Sequence, residues 1–204
     1  MHKKIIAVTW ISGSLLSVLS PCVAADFAAI QKELETMSES DQSERGKWQK
    51  IAQTYGENSP EMKALWAKQE VIDTHNLQRL EQIIAEIGWP GKSQVGRDGA
   101  EAAFLIIQHS DTEVQKKYIP LLRAAVEKKE AKPSWLALME DRIRVNDNQP
   151  QIYGSQLHFD ETTKSTVFYP IEDEKNVDIR RAKVGLQPIA EYAKFFGTEY
   201  HPPK

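Results

Sequence analysis

Apolar residues recur at helical spacing through the first two thirds of the chain. Near the start, Ile30, Leu34 and Met37 share one helix face, because residues three and four positions apart lie on the same side of a helix. A polar stretch, SESDQSERG, interrupts this pattern, and helical spacing resumes in KWQKIAQTYG. We therefore predict that residues 26–54 are helical, within an N-terminal helical segment spanning 26–58.

A second helix is marked at both of its ends. Ser59 is a typical N-cap residue, and Pro60 occupies the first helical position, where proline is favoured. The apolar spacing then continues to Ile87, after which Gly88 and Pro90 end the pattern. The sequence thus predicts one long helix followed by a break.

The next two helical patterns are more apolar. In DGAEAAFLIIQH the apolar residues wrap nearly all the way round, which predicts a central, buried helix. Asp98 and Glu101 have the spacing of a capping box at its start, and Ser110 and Glu113 repeat that spacing before the following helix. We expect this following helix to be kinked or broken near Pro120.

The pattern changes after Asp141. A short helix still fits SWLALMEDR, but RIRV, QIYGSQLHF and STVFYPI are short β-prone runs separated by polar segments. They predict a small antiparallel hairpin or three-stranded sheet at about 142–171, and LQPIAEYAKFFG predicts a final helix. The expected fold class is mainly α with a minor β element in the C-terminal third (α+β), as one helix-rich domain over 59–204.

The first 25 residues have the pattern of a secretory signal peptide. Lys3 and Lys4 precede an apolar run that ends near Leu19, and small residues lead up to Ala25. This run is too short to be a membrane anchor, and no further span follows it. We therefore expect cleavage of residues 1–25 and an exported protein, periplasmic or secreted, with no transmembrane span in the mature chain.

Cysteine content and charge narrow the classes of function. Cys22 is the only cysteine, in a degenerate lipoprotein-type box that a preceding proline fits poorly, so a lipid-anchored form is the less favoured alternative. Cleavage after Ala25 would leave no cysteine, which excludes disulfides, thiol nucleophiles and cysteine-ligated metals from the mature chain. The formal net charge of −3 at pH 7, without a basic stripe, argues against nucleic acid as a partner.

Polar residues interrupt the apolar face of the long helix. Asn76 and Gln69 fall on the same face as Leu80, and Asp73 lies at its edge. A buried amide without a partner costs about 1–3 kcal/mol. These side chains therefore either bond to neighbouring backbone, for example at the ends of the 88–96 loop, or line a pocket.

The joint GWPGKSQVG, residues 88–96, contains more glycine than a simple connection requires. Its N–H groups lie near the start of the next helix, a position that favours anions, beside Lys92 and Ser93. The order G-x-x-x-x-G-K-[ST] is absent, so this is not a P-loop. The joint is either a stiff connection or a binding loop. On the second interpretation, its N–H groups face Asp73 or Asn76 on one side and a ligand anion on the other.

Candidate chemistry is concentrated at one histidine and two basic motifs. His109 ends the buried helix, where it is either a general acid or base or a helix-end hydrogen bonder. The histidines are scattered and no H-E-x-x-H occurs, so we expect no metal and no other cofactor. In EDRIRV and DIRRAKVGL, arginine beside aspartate either holds loops onto the core or clamps a carboxylate or phosphate.

Five ordered motifs, GWPGKSQVG, QHSD, EDRIRV, QIYGSQ and DIRRAKVGLQPIAEY, cover about residues 65–197. The set resembles a bacterial family of uncharacterised domains carrying G-W-P, Q-H, D-R, a Y-G-T-Q-like element and R-R with G-L. Ser155 stands where that family has threonine, which keeps a hydroxyl. The resemblance names a domain and not a reaction, and it implies one constellation formed by Trp89, Gln108, His109, Asp141, Arg142, Tyr153, Gln156, Arg180 and Arg181.

Two functions fit these residues. The first is an exported hydrolase or transferase acting on an anionic small molecule or cell-envelope substrate. In it His109 moves the proton, Asp141 orients it or serves as a second carboxylate, and Arg142 or Arg181 holds the anionic group. With no cysteine and no G-x-S-x-G elbow, attack by activated water is the simpler chemistry.

The second function is a non-catalytic binding module that recognises a small anionic ligand, a cell-envelope component or a partner protein. Its affinity would require the arginines and Trp89 but would tolerate the loss of His109. A purely structural role is the remaining alternative.

Overall fold

The computed structural model describes residues 25–201, so the predicted signal sequence and Cys22 lie outside the described residues. Helices dominate the described part of the chain, as predicted, and a short sheet follows in the C-terminal third. The helices are α1 (Phe27–Arg45), α2 (Trp48–Tyr55), α3 (Pro60–Ile87), α4 (Lys92–His109), α5 (Thr112–Glu127), α6 (Pro133–Asn146), α7 (Val177–Lys183) and α8 (Ile189–Lys194), with a 3-10 turn at Glu174–Asn176 and strands β1 (Leu157–Asp160) and β2 (Ser165–Phe168).

The predicted antiparallel hairpin is present but shorter than expected. Strands β1 and β2 pair from Leu157↔Phe168 to Asp160↔Ser165, and one isolated parallel bridge joins Gln151 to Ile171. The RIRV segment is the last turn of α6 and not a strand. Ile143 within it packs against the core, so tertiary packing overrides the β propensity of its branched residues.

Helix starts agree with the sequence in one case and differ in two. Ser59 caps α3 and accepts a hydrogen bond from the Met62 N–H at 3.1 Å. The cap of α5 is Asp111, which accepts from the Val114 N–H at 2.9 Å, and not Ser110. Helix α5 runs through Pro120 as one helix, so of the kink or break expected there, the break does not occur.

Helix α4 begins earlier than its capping-box pattern indicated. It starts at Lys92 with Gly91 as N-cap, and it is kinked where Val95 and Gly96 leave helical geometry. Gly96 has a φ of 68°, a conformation that costs glycine little. Asp98 therefore lies within the helix, beyond the kink, and does not cap its beginning.

The core is formed by α1, α3 and α4, with α5 and α6 continuing it. Leu34 of α1, Leu80 and Ile83 of α3 and Ile107 of α4 are fully buried. The N-terminal helix is therefore an integral part of this core, not an appendage to a domain that begins at residue 59. Within residues 25–201, every helix is too short or too polar to span a bilayer.

Candidate functional site

The buried carboxylate of Asp41, near the C-terminal end of α1, contacts the His109 ring. Asp41 is 3% exposed, and its Oδ2 lies 3.2 Å from His109 Nδ1. His109 Nδ1 has no hydrogen-bond partner among the described residues, so this approach is a close electrostatic contact and not a formed hydrogen bond. The His109 side chain is 20% exposed, and because Nδ1 is buried, that exposure belongs to the other edge of the ring.

Asp41 is held in its charged form. Burial by itself would raise the pKa of this carboxyl, but His109 and Arg45 outweigh it and lower the pKa to about 2. Arg45 Nε donates to Asp41 Oδ1 at 2.7 Å, and Gln69 Nε2 donates to the same oxygen at 2.9 Å. A carboxylate in this state favours a proton on Nδ1 of His109, which leaves Nε2 free to accept another.

Asp73 extends this network towards solvent. It accepts a hydrogen bond from Arg45 Nη2 at 2.6 Å and one from Gln69 Nε2 at 2.8 Å. Asn76 Nδ2 donates to the Met37 carbonyl at 3.1 Å. Asn76 therefore bonds to neighbouring backbone, one of the two interpretations of this polar face, although that backbone belongs to α1 and not to the 88–96 loop. Gln69 lines a pocket, which is the other interpretation.

A cavity of about 350 Å³ opens in front of His109. It lies between the C-terminal end of α4 and the exposed side of α3, and Trp66 forms part of its wall. Three carboxyl side chains line it, and no lysine or arginine does so among the described residues. The carboxyl residues of this lining are Glu70, Asp73 and Asp111.

A second cavity of about 350 Å³ adjoins the first across the turn between α4 and α5, since Ser110 and Asp111 line both. Its lining includes Arg142 and Gln156. Arg142 Nη1 donates to the Gln108 carbonyl at 3.1 Å, and burial lowers the pKa of this guanidinium. The two cavities together form one continuous polar surface around the turn.

Several buried polar atoms near this turn have no hydrogen-bond partner among the described residues. They include Arg142 Nε and the side-chain oxygens of Gln108 and Gln115. Buried polar atoms are normally satisfied, and clusters of exceptions mark places where water or a ligand is bound or where chemistry occurs. The surface around the turn is therefore the strongest candidate site in the described part of the chain.

Asp141 has another set of contacts and does not orient His109. It is fully buried and accepts hydrogen bonds from the N–H groups of Ile152, Tyr153 and Ser155 at 2.7–3.2 Å. Burial raises the pKa of Asp141, and these N–H donors act against that rise. Its role is to anchor the QIYGSQ loop on α6.

The two neighbouring arginines hold the opposite side of the same loop. Arg181 is 1% exposed and Nη1 donates to the carbonyls of Tyr153 and Gly154 at 2.7 and 3.1 Å. Arg180 Nε donates to the Ile152 carbonyl at 2.8 Å. Of the two interpretations of these arginines, the contacts favour loop support, which in turn presents Gln156 to the second cavity.

Trp89 and the rest of the 88–96 joint lie at the far end of α4. The helix beyond the kink, from Arg97 to His109, spans roughly 18 Å at 1.5 Å per residue, and Trp89 is buried in the core. The Ser93 N–H donates to Glu130 Oε2 at 2.8 Å and the Lys92 N–H to the Glu130 carbonyl at 3.0 Å. The N–H groups of the joint therefore bind Glu130, and not Asp73 or Asn76 as expected.

The structure brings His109, Arg142 and Gln156 to one surface, together with Asp73. The Gln108 side chain is buried and lines neither cavity, and Trp89 lies at the other end of α4. The sequence interpretation missed Asp41, Arg45 and Gln115. One signal was available for Asp41, because it lies four residues after Met37 on the apolar face of α1. A charged residue at a core position must have a specific partner.

Searches of curated proteins and of solved structures found no match. A family model does match, and it covers more of the chain than the motif pattern suggested, since it includes α1 and thus Asp41 as well as His109. The match extends over residues 28–201, and the chain belongs to this family, a family of unknown function designated DUF6624.

Proposed function

We propose that this protein is an exported enzyme, a hydrolase or group transferase, in which His109 is the general acid and base. The observation that carries this proposal is the contact between a buried, ionised Asp41 and a histidine ring that opens onto a cavity. A carboxylate that orients one ring nitrogen and leaves the other free is the arrangement that proton transfer requires. Export rests on the basic and apolar pattern of the first 25 residues.

The chemistry proposed uses water or an acceptor hydroxyl as the nucleophile. His109 Nε2 takes a proton from this group as its oxygen attacks the substrate, and Asp41 stabilises the imidazolium that results. The same proton then passes to the leaving group as its bond breaks, which restores neutral His109. No step requires a serine or cysteine nucleophile.

Charge around the turn orients the substrate. The carboxyl side chains that line only the His109 cavity, Glu70 and Asp73, repel an anion there. Arg142 and Gln156 in the adjoining cavity favour one. We therefore place the anionic group of the substrate beside Arg142 and the bond to be broken beside His109.

The test compares wild type with His109→Ala on 4-nitrophenyl hemisuccinate and 4-nitrophenyl phosphate, esters that carry an anionic group. We expect the variant to lose at least about 100-fold in kcat/KM, the usual contribution of a general acid or base. His75→Ala, at an exposed position on α3, is the matched control and should retain full activity. Equal turnover by the His109 variant would refute the assignment.

A non-catalytic binding module is the second candidate. It is favoured by Arg142, whose buried Nε has no partner among the described residues and which can hold an anion without any reaction. Thermal shift with a panel of carboxylates and phosphates tests it, because a ligand bound only by the folded state raises Tm. Stabilisation abolished by Arg142→Gln and kept by His109→Ala would identify a binding module.

A further inference from the structure

A separate cavity of about 370 Å³ lies at the other end of α4 from His109. It forms where the start of α4 meets the connection between α5 and α6. Trp135 of α6 contributes to its lining, and we call it the Trp135 cavity. It shares no lining residue with the two cavities around the Ser110 turn.

One part of the Trp135 cavity is apolar and rigid. Trp135 is 6% exposed, and its ring stacks on Phe104 with centroids 5.2 Å apart and planes 6° from parallel. Val126, Ala131 and Pro133 add aliphatic surface beside it. This lining provides an apolar contact surface to which the Trp135 ring contributes only its small exposed part.

The remaining lining is strongly basic. Lys132 Nζ lies 4.8 Å from the Trp135 ring centroid, in the range of a cation–π contact, and is also paired with a glutamate of α4. Arg97 has only an exposed contact with the neighbouring Asp98. Lys92 and Lys129 have no carboxylate within 4 Å in the part of the chain that the structure describes.

The one carboxylate in this lining, Glu130, is already engaged. The Ser93 N–H, which donates to it, is the main cause that lowers the pKa of Glu130, so the group stays ionised at the N-terminus of α4. Helix N-termini stabilise such a charge. Glu130 is therefore held at the N-terminus of α4; the charge of Lys92 also helps to keep it ionised, but neither Lys92 nor Lys129 forms an ion pair with it.

We propose that the Trp135 cavity binds a small amphiphilic anion, with a phosphate or carboxylate head between Lys92 and Lys129 and an apolar body against Trp135. Charge complementarity selects the head group, and the apolar lining selects a ring or short alkyl chain. A soluble metabolite and the head region of an anionic lipid share this chemistry. The site is independent of the proposed reaction at His109.

The probe for the soluble source is 1-naphthyl phosphate, titrated into the full mature chain by calorimetry. The double variant Lys92→Gln/Lys129→Gln should bind about tenfold more weakly, which corresponds to the loss of two partly exposed charge contacts. Both residues are exposed, so folding should be unchanged. The matched control, Lys63→Gln/Lys128→Gln, removes two exposed lysines outside the cavity and should change affinity less than about twofold.

The probe for the lipid source is a phosphatidylglycerol vesicle, with a phosphatidylcholine vesicle as its control. Binding to the anionic vesicle that 1-naphthyl phosphate displaces would assign the cavity to lipid, and binding of the soluble probe alone would assign it to a metabolite. Either result supports the proposal if the Lys92→Gln/Lys129→Gln variant weakens the binding that is observed. Absence of saturable binding by both probes, or equal weakening by the control variant, would overturn it.

Discussion

Asp41 combines burial with charge, which makes its contribution to stability depend on pH. Its folded pKa of about 2 lies below the value near 3.8 expected for the unfolded chain. The carboxylate therefore stabilises the fold above pH 4 by about 2 kcal/mol, and this is lost as pH falls towards 2. Asp41→Asn should accordingly destabilise the protein strongly at pH 7 and much less at pH 2.5, measured by urea unfolding.

The control for this prediction is Glu39→Gln, an exposed carboxyl on the same helix. Its effect should stay within about 0.5 kcal/mol at both pH values. If Asp41→Asn lowers the free energy of unfolding equally at pH 7 and pH 2.5, then packing, and not the charge, accounts for the role of Asp41.

Asp141 gives a second prediction for a single residue. Its carboxylate accepts three backbone N–H groups of the QIYGSQ loop, and an asparagine amide would direct N–H groups at some of those donors. We expect Asp141→Asn to lower the free energy of unfolding by about 2–4 kcal/mol. Asp98→Asn, at an exposed position, is the control. A wild-type unfolding midpoint for Asp141→Asn would contradict the anchoring role.

At the level of elements, the start of α4 depends on a contact between Gly91 and Glu130. A Cβ on Gly91 would lie 2.7 Å from Glu130 Oε2 and 2.8 Å from Glu130 Cβ, although its backbone conformation suits any residue. Gly91→Ala should therefore cost about 1–3 kcal/mol. In a Glu130→Gly background the same change should cost clearly less, because that variant lacks both Glu130 Oε2 and Glu130 Cβ. Equal costs in both backgrounds would exclude this explanation.

The elements also show which parts of the fold the sequence could predict. Ser59 and Pro60 determine the start of α3 through a capping hydrogen bond and a fixed backbone angle. Both effects depend only on neighbouring residues, so a sequence pattern can predict them. The β propensity of RIRV is local and predicts a strand, whereas the packing that keeps Ile143 in α6 depends on distant residues.

The sequence likewise predicts some residues of the candidate site but not how they pair. His109, Arg142 and Gln156 were recognised by residue type and order, and they do reach one surface. Motif order predicts Asp141 as the partner of His109, whereas Asp41 on α1 makes the contact. A pairing between distant segments depends on how α1 packs against α4, and no local pattern contains that information.

At the level of the whole molecule, we expect the fold to depend on α1. It places Leu34 in the centre of the core and Asp41 beside His109. A chain comprising residues 59–204 should therefore lose cooperative unfolding, because it exposes the faces of α3 and α4 that α1 covers. Circular dichroism with urea is the measurement. The chain 26–204 is the control and should unfold cooperatively, whereas a cooperative 59–204 chain would make α1 dispensable.

The export proposal also concerns the whole chain. Asp26 caps α1 by accepting hydrogen bonds from the N–H groups of Ala28 and Ala29 at 3.1 Å. Cleavage that leaves Ala25 or Asp26 as the first residue would keep this cap. Intact-mass analysis of protein from the native envelope should show a chain beginning at one of these residues. A lipid-modified Cys22 at the new N-terminus would exclude the soluble form.

The packing of α1 against α3 and α4 sets an order of events during synthesis. A ribosome makes α1 before α3 and α4, and the apolar face of α1 is covered on both sides only after α4 has emerged. Contacts between such distant segments form late, so the nascent chain stays open while most of it is translated. Under the proposed export this delay would be useful, because a translocase threads an unfolded chain and the domain would close only after α4 had followed α1 across the membrane.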